Sequence, residues 1–120
     1  MTALLSPLYH WSPRRHRVSI LEHGLRTMQP WRSTETNPDG SEVRFPWICC
    51  SPSPSSALGL VLDLEAEEDG WDLWQVDLRD GDRIEIRSDF GPRVREVRVL
   101  HGLPADRVFW CGWRDTDGPH

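Results

Sequence analysis

A cysteine nucleophile could sit at Cys49, Cys50 or Cys111. All three fall in apolar, strand-like runs, where a thiol packs as a small hydrophobe, so they read as inert. Two adjacent thiols and a distant third make no disulfide framework and lack C-x-x-C spacing. That argues against structural zinc and for a reducing, cytoplasmic setting. The 14 basic residues are all arginine. Without lysine there is no P-loop, and G-x-G-x-x-G, H-E-x-x-H and G-x-S-x-G are absent as well. Guanidinium forks suit phosphate groups, which leaves a local arginine pocket open. Ser12-Pro13 reads as a helix start, and a helix N-terminus is a second place for an anion.

Charge limits the partners. The 14 arginines stand against 19 acids, for a net charge of -5. By segment, residues 1–48 carry +2 (6 Arg, 4 acids), 49–90 carry -8 (3 and 11) and 91–120 carry +1 (5 and 4). An acidic middle between mildly basic ends argues against wrapping a nucleic-acid backbone along the whole surface. The longest apolar stretch, Ala57 to Leu62, is far short of a membrane span. Met1 to Leu8 lacks the basic start and apolar run of a secretory signal. At 120 residues the chain has the length of one domain.

The elements that must hold any site follow from periodicity and punctuation. Pro7 to Trp11 reads as a short strand. Ser12-Pro13 supplies a helix cap and a first-position proline, and Val18, Leu21 and Leu25 repeat at helical spacing up to Gly24, which predicts a helix over 13–23. Thr27 to Pro46 is a long polar connection, of the kind that binds ligands when it is ordered. Phe45 to Cys50 reads as a buried strand, and Ser53-Pro54 repeats the cap signal for a second short helix. Trp71 to Leu78 and Arg83 to Arg87 alternate as strands around an Asp80-Gly81 turn. Val94 to Leu100 and Val108 to Trp113 complete the set, with a tight turn at Pro104. Trp71, Trp74, Trp110 and Trp113 alternate within strands and are expected in the core. The order predicts an α+β domain with an antiparallel-rich sheet and two short helices.

Three runs, in order, carry a resemblance. The chain opens Leu8-Tyr9-His10-Trp11-Ser12 and continues into a helix ending Ile20-Leu21-Glu22-His23-Gly24-Leu25-Arg26. Trp47-Ile48-Cys49-Cys50-Ser51 precedes Ser53-Pro54-Ser55-Ser56-Ala57. Arg95-Glu96-Val97-Arg98-Val99 is followed by Leu103-Pro104 and the last strand. Together they resemble the ADP-ribosyltransferase superfamily, in its poly(ADP-ribose) polymerase and diphtheria-toxin-like branch, a resemblance that covers about residues 8–113 and implies a domain core of that extent. The resemblance implies a split antiparallel sheet and NAD as co-substrate. It gives His10 a hydroxyl of the adenosine ribose and the Trp11 backbone the nicotinamide carboxamide. Ser12, Arg26 and the loop 27–46 would cover the adenosine side, with Trp31 in that loop. Ser56 would donate to the nicotinamide carbonyl, and Trp47 or Trp11 would stack on the ring in place of the family tyrosine, which falls at Ile48. Glu96, the catalytic carboxylate, would contact the nicotinamide ribose.

The chemistry of the residues agrees with those roles. Cleaving the ribose–nicotinamide bond builds positive charge on the sugar. A fixed carboxylate stabilises that charge and can orient an acceptor. Nicotinamide is already a good leaving group, so no metal is required. The expected activity is transfer of ADP-ribose to a protein, nucleic acid or small molecule, in a toxin, phage or defence setting, with an antitoxin or host target as partner. Two alternatives stand beside it. One is an RNA 2′-phosphotransferase-like enzyme of the same superfamily, using Arg14, Arg15, Arg26 and Arg44. The other is a nucleotide- or protein-binding module without catalysis.

Overall fold

A computed structural model describes residues 7–27, 29–30, 38–41, 44–45, 47–59, 69–87 and 96–115. In chain order the elements are β1 (Leu8–Pro13), a 3₁₀ turn (Arg14–His16), α1 (Arg17–His23), β2 (Gln29–Pro30), β3 (Arg44–Phe45) and β4 (Ile48–Cys50). Then come α2 (Pro54–Gly59), β5 (Gly70–Val76), β6 (Ile84–Arg87), β7 (Glu96–Val99), a second 3₁₀ turn (Ala105–Arg107) and β8 (Val108–Asp115). The fold is α+β, with antiparallel strands and, among the described residues, two short α-helices. No helix among the described residues is long and apolar enough to cross a membrane.

The sheet is split. One half runs β1-β5-β8 and the other β4-β7-β6, with β2 and β3 as a separate short pair. Among the described residues a single rung joins the halves: Tyr9 and Ser51 exchange both backbone hydrogen bonds, at 2.8 and 2.9 Å. One face of both halves supplies the core, where Leu8, Trp74, Val76 and Val108 meet Ile48, Cys50, Val97 and Val99. Ile20, Leu25 and Leu103 close it from the side of α1. Each fully buried aliphatic side chain here contributes about 1.5–3 kcal/mol from surface withdrawn from water.

Local signals fare unevenly. Ser53 caps α2 as its sequence predicts: its Oγ accepts the Ser56 N–H at 3.2 Å and its carbonyl the Ala57 N–H at 2.9 Å. Ser12-Pro13 does not cap α1. Both residues stay in β1, paired with Asp72 and Trp71 of β5, and the chain turns through the 3₁₀ segment first. Val18 and Leu21, expected inward, are 67% and 56% exposed, and Ile20 is the residue α1 buries. The tight opening turn changes the phase of the helix, and seven residues present only one inward row. Gly24 ends α1 at φ 76°, and a Cβ there would lie 1.9 Å from the Leu103 carbonyl oxygen. Leu25 and Leu103 pair directly beyond it, at 2.8 and 2.9 Å.

The tryptophans divide. Trp71 and Trp74 are 2% and 0% exposed, as expected, but Trp110 and Trp113 are 43% and 60% exposed. A β-bulge explains the pair. Leu73 faces Gly112 and Trp74 faces Trp110, so Cys111 is an extra residue in β8. Residues three apart on a regular strand point to opposite faces. The inserted residue brings both indoles to one face, stacked with centroids 5.8 Å apart and planes within 5°.

Candidate functional site

The split between β1 and β4 brings His10 and Trp11 beside Cys49, with Glu96 one strand farther on β7. Backbone groups of successive residues in a strand point to opposite sides. Those of Trp11 therefore point the same way as those of Tyr9, toward β4. A continued ladder would pair Trp11 with Cys49, but the Tyr9–Ser51 rung is where the pairing stops. The Cys49 carbonyl instead takes the His10 ring, with Nδ1 at 2.6 Å. The Trp11 peptide thus opens into the split with no backbone partner on that side among the described residues. Its indole donates from Nε1 to the Pro54 carbonyl at 3.0 Å, tying β1 to the start of α2.

His10 links the two halves across the split. A carbonyl oxygen only accepts, so its contact makes Nδ1 the protonated nitrogen and leaves Nε2 an acceptor. Burial lowers the His10 pKa, and the bond to the Cys49 carbonyl opposes this without cancelling it. The unfolded chain takes up this proton near pH 6.5, the folded chain only at lower pH. Stability should therefore fall as pH drops through about 6.5 and stop falling once the folded ring is charged. Thermal unfolding between about pH 7 and pH 5 checks this: His10→Gln should show the shallower decline.

Glu96 lies on the other side of Cys49. It opens β7 opposite Arg87, is 3% exposed, and accepts from Arg98 Nε at 2.7 Å. The Arg98 guanidinium sits over the Trp47 ring, 4.1 Å from its centroid, with Glu85 3.6 Å away. Strand alternation puts Cys49, Glu96 and Arg98 on one face, and His10 with Leu8 and Trp74 on the other. The two site residues share no hydrogen bond or ion pair; Cys49 stands between them, its carbonyl on His10 and its thiol beside the Glu96 carboxylate.

The remaining residues are spread around this centre. Ser12 is buried in β1 beside Asp72. Ser56 is half-buried in the first turn of α2, and Arg26 is exposed just past the Leu25–Leu103 rung. Most of the 27–46 loop, Trp31 included, lies outside the described residues. Arg14 is not at the split: it reaches Asp115 at the end of β8. The residue missed in the sequence is Arg98. It stands two positions after Glu96, the spacing that shares a strand face, and that signal was available.

The thiols behave as packing groups. Burial, with the Glu96 carboxylate as a second cause at Cys49, pushes the Cys49 and Cys50 thiols well above the ordinary range. Cys111 is exposed on β8. A thiol reagent should accordingly modify Cys111 alone in the native protein and all three cysteines after denaturation, counted by intact mass.

No family model matches the chain, and no curated protein or solved structure does.

Proposed function

We propose that the protein is an NAD-dependent ADP-ribosyltransferase whose donor site is the split between β1 and β4. The observation that carries this reading is the open Trp11 peptide. Its N–H and C=O, released from the sheet by the His10–Cys49 contact, offer one donor and one acceptor side by side. A carboxamide has the complementary pair. The start of α2, held against β1 by the Trp11 indole, brings Ser56 to the same end of the sheet. His10 Nε2, an acceptor, suits a ribose hydroxyl.

In the reaction the bond between ribose C1′ and the nicotinamide nitrogen breaks, and nicotinamide leaves with the bonding pair. The sugar carries positive charge until an acceptor oxygen or nitrogen bonds to C1′ and loses its proton. Glu96 is the carboxylate assigned to that charge. Arg98 fixes its position and is itself fixed by stacking on Trp47.

A second reading has its own support in Glu96. A carboxylate that is 3% exposed and bonded to its strand neighbour is also what cross-strand charge pairing requires. On that reading the split binds a nucleotide without cleaving it. Incubating the protein with NAD and following nicotinamide by chromatography separates the two. Release supports the transferase; NAD binding without release supports the binding module; neither binding nor release overturns both.

A further inference from the structure

The far edge of the sheet holds a second arrangement, two strands away from the split. Arg14, Arg17, Trp110 and Trp113 line an open hollow of about 300 Å³ against β8. Its parts are fixed from below. Asp72, fully buried in β5, accepts from Arg17 Nε at 2.9 Å and Nη2 at 2.6 Å, and from Trp110 Nε1 at 3.1 Å. The same carboxylate therefore orients a guanidinium and an indole, and the Arg17 guanidinium lies 5.0 Å from the Trp110 ring centroid. Two bonds to Asp72 leave the remaining N–H groups of the Arg17 fork unused by it. Arg14 lies over Gly70, where a Cβ would come within 2.6 Å of its guanidinium carbon. Its partner Asp115 is 71% exposed, so an anion can replace that carboxylate at little cost. The bulge at Cys111, with Gly112 at φ 157°, is what places Trp113 beside Trp110.

Exposed parallel indoles flanked by two guanidinium groups fit one kind of ligand: a flat aromatic ring carrying an anion. We infer that this hollow binds a nucleobase together with its attached phosphate, the base stacking on Trp113 and the phosphate meeting Arg14 and Arg17. Stacking accepts any base, so the site reads the presence of a base and not its identity. A free nucleotide and an unpaired nucleotide within a strand share this chemistry. The site does not depend on the NAD reading, since β1 and β5 separate it from the split.

The test is a titration of the full chain by calorimetry with three probes: AMP, adenosine and a single-stranded uridine decamer. AMP should bind, and adenosine about tenfold more weakly for want of the phosphate contacts. Trp113→Ala should weaken AMP about tenfold, Trp113→Tyr should restore most of it, and Arg14→Gln should bring AMP down toward adenosine. His10→Ala and Glu96→Gln should leave this binding unchanged, which separates it from any occupancy of the split. Decamer binding tighter than AMP and steeply salt-dependent assigns the site to single strands, and equal or weaker binding assigns it to free nucleotides. Failure of AMP and decamer to bind the wild type overturns the inference. So does binding that Trp113→Ala leaves intact while circular dichroism shows the variant folded.

Discussion

Replacing Glu96 by Gln is expected to lower nicotinamide release from NAD by about 10²–10³-fold, the scale of a lost charge at a developing cation. The amide keeps the shape of the side chain and can still accept from Arg98, so the melting temperature should move little. Arg98→Met is the companion. It leaves a carboxylate that is 3% exposed without its hydrogen-bonded cation and strips the guanidinium from the Trp47 ring. It should therefore lower stability clearly, the usual result of removing one partner of a buried pair. The two variants together separate chemistry from pairing. An unchanged rate in Glu96→Gln removes Glu96 from the mechanism. A loss of stability as large as that of Arg98→Met would mark it as a structural charge.

The largest effect on folding is expected at Arg107. This side chain is 7% exposed and donates to the Asp77 carbonyl from Nε at 3.2 Å and Nη2 at 2.7 Å. It also pairs through both terminal nitrogens with Asp82, whose side chain is 10% exposed. It thereby ties the β5–β6 turn to the 3₁₀ segment before β8. Arg107→Met should cost about 3 kcal/mol, a fall of about 10 °C in melting temperature for a domain of this size. Acid tests the cause. The Arg107 hydrogen bond, followed by the Arg79 backbone N–H and the charges of Arg107 and His101, holds the Asp82 carboxyl below its ordinary value. A depressed carboxylate contributes stability above its unfolded pKa of about 3.9 and loses it as pH falls through the lower folded value. The gap between wild type and Arg107→Met should therefore narrow below about pH 4. A gap of constant width would mean that packing of the Arg107 stem, not its charge, is what the variant lost.

Arg107 also shows where the sequence could be read and where it could not. Strands with strict alternation, such as Trp71 to Leu78, were legible because a two-residue period has one physical meaning. The Asp80-Gly81 turn, with Gly81 at φ 94°, and the Ser53 cap were legible because each rests on neighbouring backbone alone. Ser12-Pro13 carried the same local signal as Ser53-Pro54 and failed, because a pairing with residues about sixty positions later claimed it for a strand. Val18, Leu21, Trp110 and Trp113 were misassigned for related reasons. A 3₁₀ turn and a bulge each shift phase by about one residue, and neither leaves a mark in the hydrophobic pattern. At the candidate site the strands that carry His10 (β1) and Glu96 (β7), with β4 between them, followed from the strand signals of Pro7 to Trp11 and Val94 to Leu100. The open Trp11 peptide did not, because it arises from a rung that fails to form.

The bulge in β8 has a consequence beyond the two indoles it aligns. β8 and β6 are the outer strands of the two half-sheets, and among the described residues each has a strand partner on one side only. A straight outer strand of eight residues would be a template on which another copy could build. The kink at Cys111 and Gly112 divides β8 into two short runs whose free amides no longer fall in line. β6 is only four residues long and carries Glu85 and Arg87. Both borders are thus poor seeds for fibril growth, and restoring a regular β8 by deleting Cys111 would remove that protection.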